Sequence, residues 1–271
     1  ISFTKENVKI VIIKTVKYFT SKSFKRILSW FDFEIKLFLL NKKFLPSPDV
    51  IIISSLSLLT ILNGIYFKKK YGCKLVFEVR DIWPLTLVEL GGYSNHNPLI
   101  MILALIEKIG YKKSDVIVGT MPNLSAHVRK ILGYSKPVHC IPMGVSESML
   151  KNRSNGSPKY IKKHLKTDDF NIVYAGTFGM TNSLNTFFEA AKILKDDPKI
   201  RFIIFGDGAL RKDYIKRFGY LSNLIYFTKV KKNQVQAFLA YADVLYYSTF
   251  QSVVYDYGQS ANKFIDYMIL K

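Results

Sequence analysis

At 271 residues and 49% hydrophobic content the chain can bury a sizeable core, as one large or two small domains, and a disordered polymer is excluded. Forty Lys and Arg against 20 Asp and Glu leave a formal net charge of +20, which points to anionic partners: nucleic acid, nucleotide phosphates or an anionic membrane surface. Lysine outnumbers arginine 33 to 7, a bias that AT-rich coding also produces, so charge alone selects none of these partners.

The first 48 residues are the most basic block, with ten Lys or Arg against three acids. Lys14, Lys17, Lys22, Lys25 and Arg26 are interleaved with Val16, Tyr18, Phe19, Phe24, Ile27, Leu28, Trp30 and Phe31. Such a pattern marks either a helix lying on an anionic membrane or an ordinary helix with its apolar face on a sheet and its lysines in water. The ordinary helix is the expectation for the fold. Strand-like runs follow at 9–13, 49–54, 74–79, 115–119 and 138–141, then at 171–174, 201–205, 224–228 and 243–247. Several are continuous apolar runs separated by helical patterns, which predicts parallel βαβ units and an α/β fold. The apolar run 50–67 contains Ser54, Ser55, Ser57, Thr60, Asn63 and Gly64, and reads as a buried strand entering a helix. Cys73 and Cys140 fall on predicted buried strands as small apolar fillers, with no disulfide framework and no metal-ligand spacing, which fits a reducing compartment.

Around residue 150 the character changes. Lys151-Asn152-Arg153-Ser154-Asn155-Gly156-Ser157-Pro158 is polar and punctuated by Gly and Pro, as linkers are. The expectation is an N-terminal domain over 1–148, a linker over 149–169 and a C-terminal domain over 170–271, with a cleft between the domains.

Candidate chemistry sits where strands end. Arg80 and Asp81 follow Leu75-Val76-Phe77, and ligands bind at the carboxyl ends of strands in open α/β sheets. A carboxylate there accepts sugar hydroxyls and a guanidinium binds phosphate, although taken alone the pair reads better as an Arg–Asp loop salt bridge with Trp83 packed beneath it. Gly176, Thr177 and Gly179 come directly after a strand, where glycine lets a ligand approach the backbone and N–H groups attract phosphate. Gly206, Asp207 and Gly208 repeat that logic and resemble the start of a dinucleotide fingerprint, but Arg211 stands at the position of its third glycine. Asn262, Lys263 and Asp266 open the last predicted helix. Asn262 and Asp266 share a face, and a lysine at a helix start opposes the dipole unless an anion is bound.

Taken in order, these segments resemble glycosyltransferase family 4, retaining enzymes of the GT-B fold, in the bacterial branch that builds surface polysaccharides from nucleotide amino sugars. The resemblance rests on Asp49-Val50-Ile51-Ile52-Ile53-Ser54-Ser55, Glu78-Val79-Arg80-Asp81-Ile82-Trp83-Pro84 and Ile141-Pro142-Met143-Gly144-Val145, then on Tyr174-Ala175-Gly176-Thr177, Gly206-Asp207-Gly208, Tyr241-Ala242-Asp243-Val244 and residues 262–268. It implies two Rossmann-like domains facing a cleft. The C-terminal domain would hold a nucleotide diphosphate sugar through Gly176, Thr177, Gly179, Gly206, Asp207, Gly208, Asn262, Lys263 and Asp266. Arg80 and Asp81 would be catalytic residues on the acceptor side.

The resemblance further implies a lipid-linked oligosaccharide acceptor, peripheral contact with an anionic membrane on the cytoplasmic side, no nucleic-acid partner, and neither a cofactor nor an obligatory metal. It also implies that an opening strand and helix before Ile1 and closing elements after Lys271 are lacking. The chain departs from the family pattern at Gly258, which stands where the first of two glutamates belongs. It departs again at residues 176–185, which lack the usual Arg and Lys, and at Arg80, where many relatives have histidine. A GT-B nucleotide-sugar epimerase and a non-catalytic basic fragment binding anionic polymers or membrane are the alternatives.

Overall fold

The computed structural model describes residues 2–5, 8–18, 23–40, 47–147, 168–228 and 232–270. The predicted linker lies outside the described residues except for its last two positions, as do Phe19, Lys22 and His164. The chain divides into two compact units, Ile1–Pro142 with Ser252–Gln259, and Met143–Gln251 with Ser260–Lys271.

The first unit opens with strands β1 (Ser2–Lys5) and β2 (Val8–Val11), which pair antiparallel as a separate two-stranded sheet. The run at 9–13 therefore does not enter the parallel sheet. Only two residues separate β1 from β2, and a parallel pairing needs a crossover of a dozen or more. Helix α1 (Phe24–Leu39) follows, then β3 (Val50–Ser54), α2 (Thr60–Tyr71), β4 (Lys74–Val79), α3 (Leu85–Glu89), α4 (Pro98–Lys113), β5 (Val116–Gly119), α5 (Leu124–Leu132) and β6 (Val138–Cys140). Strands β3-β4-β5-β6 form a parallel sheet in that order. Ile53, Leu75, Phe77, Val79 and Ile117 bury their side chains against Ile61 of α2 and Leu103 and Ile106 of α4. Each fully buried side chain of this size contributes about 1.5–3 kcal/mol. Cys73 is buried in the turn before β4, but Cys140 is exposed, because β6 is an edge strand whose last two residues face solvent.

A buried polar cluster crosses this unit. Glu107 Oε1 lies 2.7 Å from His127 Nε2 and accepts a hydrogen bond from the Tyr111 hydroxyl at 3.0 Å. The His127 ring packs edge-on against Tyr257 at 5.0 Å, and Asn123 N–H donates to the Tyr257 carbonyl at 2.9 Å. These contacts hold the 3₁₀ turn Val253–Tyr257 in the first unit, although sequence order alone places it in the C-terminal half.

Helix α1 corrects the expectation of an inward apolar face. Its Ser23 cap accepts from Lys25 N–H, and Trp30 packs edge-on against Trp83 at 5.7 Å. The buried side also carries Glu34, whose carboxylate accepts hydrogen bonds from Ser57 at 2.9 Å, Thr60 at 2.5 Å and Asn63 at 2.8 Å. Thr60 begins α2, so the carboxylate sits at the positive end of that helix. A polar anchor thus fixes the helix rotation, and the apolar stripe of α1 is left facing solvent.

The second unit contains β7 (Phe170–Ala175), α6 (Asn185–Ile193), β8 (Ile200–Phe205), α7 (Arg211–Phe218), β9 (Leu224–Phe227), α8 (Lys232–Leu239), β10 (Val244–Leu245) and α9 (Asn262–Met268). Its sheet is parallel, in the order β10-β7-β8-β9. Alternation along β8 sends Phe202 and Ile204 to one core, with Phe187, Phe188 and Tyr214, and Ile203 and Phe205 to the other, with Phe227, Phe238 and Tyr267. With both faces covered, β8 reads as a continuous apolar run from Phe202 to its end at Phe205.

Candidate functional site

Parallel pairing of β7 with β8 brings the loops after both strands to one edge of the second sheet. There the backbone of one loop lies on the other. Phe178 N–H donates to the Asp207 carbonyl at 3.0 Å, and Gly176 N–H to the Phe205 carbonyl at 3.0 Å. Two of the N–H groups that the sequence offers to phosphate are therefore engaged by the neighbouring loop. The same packing explains the glycines. Gly206 has φ +138°, and a Cβ there would stand 1.8 Å from the Gly176 carbonyl oxygen; at Gly208 it would stand 2.6 Å from that of Phe178. Asp207 turns its carboxylate back to accept the Gly208 N–H at 2.8 Å.

Across these loops lies the start of α9. Together they enclose a cavity of about 670 Å³, within the size range of small-molecule sites. Gly176, Thr177, Gly206, Asp207, Gly208, Asn262, Lys263 and Asp266 line it, so eight of the nine predicted donor residues meet at one place. The ninth, Gly179, does not line it; the chain there turns into the 3₁₀ segment Met180–Asn182. Ala175, Phe205, Val235, Leu239 and Tyr267 supply an apolar wall that sequence reasoning did not single out. These residues carry no chemical signature, and only the fold turns them inward.

Lys263 is the cation of the cavity. Its Nζ donates to the Tyr174 hydroxyl at 2.9 Å and to Asn182 Oδ1, and lies over the rings of Tyr174 at 4.6 Å and Tyr247 at 5.6 Å. The Tyr174 hydroxyl donates onward to the Thr177 carbonyl at 2.9 Å, and Asn182 Nδ2 donates to the same oxygen at 3.0 Å. Hydroxyl, amide and ring faces are all neutral partners, and burial lowers the lysine pKa to about 8. An ammonium has three donors, so one N–H remains beyond Tyr174 and Asn182. Burial likewise pushes the Tyr267 phenol up to about 12. A Cβ on Gly176 would come 2.4 Å from Lys263 Cε and 2.8 Å from the Tyr174 hydroxyl, so a side chain there displaces the lysine from this position. Tyr174 and Asn182, which hold the lysine, carry no local signal of that role, because it depends on contacts 89 and 81 residues away.

Arg80 and Asp81 belong to the first unit and stand just past the end of β4. Ser55 Oγ accepts their N–H groups at 2.9 and 3.3 Å and donates to the Asp81 carbonyl at 3.3 Å. Desolvation raises the Asp81 pKa against the opposing pull of Arg80. Tyr255 lies near enough for the Asp81 charge to add to the effect of burial in raising its phenol. Ser55 and Tyr255 are additions from the structure. Gly258, at the position of the missing glutamate, has φ +95°, and a Cβ would meet Pro122 Cδ at 2.5 Å, so this backbone does not admit a side chain there. Arg211 begins α7 outside the cavity lining, its Nε buried without a partner.

No protein-family model and no curated protein sequence matches the chain. Solved structures do. An apo structure of OtsA aligns with a TM-score of 0.64 at 16% identity, over 92% of this chain and 62% of its own. Sucrose-phosphate synthase from Thermosynechococcus elongatus aligns with a TM-score of 0.66 at 12% identity, over 92% and 63%. Anabaena Alr3699/HepE in complex with UDP aligns with a TM-score of 0.61 at 13% identity, over 90% and 63%. The chain has the α/β fold of these GT-B proteins and spans about three-fifths of their length.

Proposed function

We propose that the chain is a glycosyltransferase that moves a sugar from a nucleotide diphosphate sugar to a lipid-linked glycan acceptor, with retention, in bacterial surface polysaccharide synthesis. The observation that carries this reading is the cavity around Lys263, which gathers one half-buried cation, two glycine loops and the carboxylates of Asp207 and Asp266 beside an apolar wall. HepE, a structural neighbour, has been solved with UDP and with UDP-glucose.

In this reading the apolar wall takes the nucleoside, Asp266 accepts ribose hydroxyls, and the free N–H of Lys263 meets the diphosphate. Lys263 then opposes the charge that grows as the bond between the sugar C1 and the phosphate oxygen breaks. The acceptor oxygen bonds to C1 on the face the diphosphate leaves, and its proton passes to the departing phosphate oxygen. No metal is obligatory in this scheme. Arg80 and Asp81 serve the acceptor side, and the enzyme works at the inner face of the plasma membrane. Among the described residues no helix is long and apolar enough to cross a membrane. Contact in this reading is peripheral.

Calorimetric titration with UDP tests the donor site. A charge-assisted hydrogen bond contributes about 1.5–3 kcal/mol, so Lys263→Ala is expected to weaken UDP binding by roughly 10- to 100-fold, and Asp266→Ala to weaken it as well. Unchanged affinity for UDP, GDP and dTDP in both variants refutes the assignment.

A further inference from the structure

Helix α1 presents Phe24, Leu28, Phe31, Ile35, Phe38 and Leu39 to solvent, each between 43% and 72% exposed. At about 100° per residue these six positions fall in one stripe about 100° wide, running the helix length of about 24 Å. Leu62 and Tyr66, exposed on α2, continue the stripe sideways, with Phe38 and Tyr66 rings 4.8 Å apart. Between the two helices lies a shallow apolar hollow of about 390 Å³. Soluble monomers seldom expose so large a continuous apolar face.

The rim of this face is basic. Lys25 and Lys36 flank the stripe on α1, one turn-edge away from Leu28 and Leu39, and both are exposed. Lys70 on α2 lies 5.9 Å from the Tyr66 ring. Of the acids of α1, Asp32 neutralises Lys36, 2.7 Å away, and Glu34 is buried on its three hydrogen bonds, so Lys25 and Lys70 carry the net positive charge of the rim. An apolar stripe edged by cations, on a helix whose rotation is fixed by a buried carboxylate, is complementary to a lipid surface with anionic headgroups.

We propose that the face formed by α1 and α2 is the membrane-docking surface of this protein, with the stripe entering the headgroup–acyl boundary of an anionic leaflet and Lys25 and Lys70 at headgroup level. The inference rests on the membrane contact in the functional reading above and assigns it to named residues.

The experiment is co-sedimentation of the full chain with vesicles of phosphatidylcholine, alone or with about a quarter phosphatidylglycerol. Wild-type protein is expected on the anionic vesicles and at least about tenfold less on the neutral ones. Ile35→Asp with Phe38→Asp is expected to abolish binding to both. Lys25→Gln with Lys70→Gln is expected to weaken binding to anionic vesicles by about fivefold per charge. All four side chains are exposed, so circular dichroism and UDP affinity should be unchanged, and they separate this test from that of the donor site. Vesicle binding equal in the Ile35→Asp/Phe38→Asp variant and wild type overturns the proposal, as does no binding by wild type. A dimer of wild-type protein that the same variant dissociates, without vesicle binding, overturns it in favour of a second copy on this face.

Discussion

The half-buried Lys263 makes a prediction in which stability and ligand binding move in opposite directions. Burial lowers Lys263 to about 8 from an unfolded value near 10.4. The folded state therefore binds fewer protons than the unfolded state between about pH 8 and pH 10.4, and its stability rises with pH across that window. The full difference of about 2.4 units corresponds to roughly 3 kcal/mol, and partial solvent access reduces it to the order of 1–3 kcal/mol. Replacing Lys263 by Met removes the charge and keeps most of the volume. Urea unfolding should then show the Met variant equal to or more stable than wild type at pH 7, without the wild-type gain between pH 8 and pH 10.

A bound diphosphate reverses the balance, since an anion beside the ammonium raises its pKa. The charged fraction of free Lys263 is about 0.9 at pH 7, about 0.5 at pH 8 and about 0.1 at pH 9. UDP affinity should fall about tenfold from pH 7 to pH 9, and binding at pH 8 should take up about half a proton. Calorimetry in two buffers of different ionisation enthalpy reads the proton count directly. Binding at pH 8 with no proton uptake, or identical pH–stability slopes in wild type and Lys263→Met, refutes the reasoning.

Two further substitutions test the architecture beneath the sites. Gly206→Ala places a Cβ 1.8 Å from the Gly176 carbonyl and should cost at least about 2–3 kcal/mol in urea unfolding with loss of UDP binding, whereas Gly179→Ala, with its nearest contact at 3.6 Å, should bind UDP like wild type. Glu107→Ala strands a buried histidine and a buried hydroxyl and should destabilise the protein by about 3–5 kcal/mol, and Glu107→Leu with His127→Leu should recover much of that loss on thermal melting.

Much of the second sheet was legible because its strands carry their own signal. Residues 202–205 are apolar without alternation, as a strand covered on both faces must be, and glycines follow both β7 and β8 where the loops press together. The hairpin at the start was misread because strand propensity is the same for either pairing direction; the two-residue connection decides it. Cys140 looked buried for a similar reason, since an edge strand and a central strand share composition and differ only in what covers them.

By itself the sequence determined the α/β class, the strand–helix order and the residue types at the strand ends, because apolar periodicity and glycine placement are local properties of the chain. Tertiary structure alone decided which of those residues share a cavity, that Lys263 rests on Tyr174 and Asn182, and that Glu34 turns the apolar stripe of α1 outward. Each of these depends on atoms brought together from 23 to 89 residues apart, and burial, which shifts a pKa or fixes a helix rotation, exists only once those distant segments have packed.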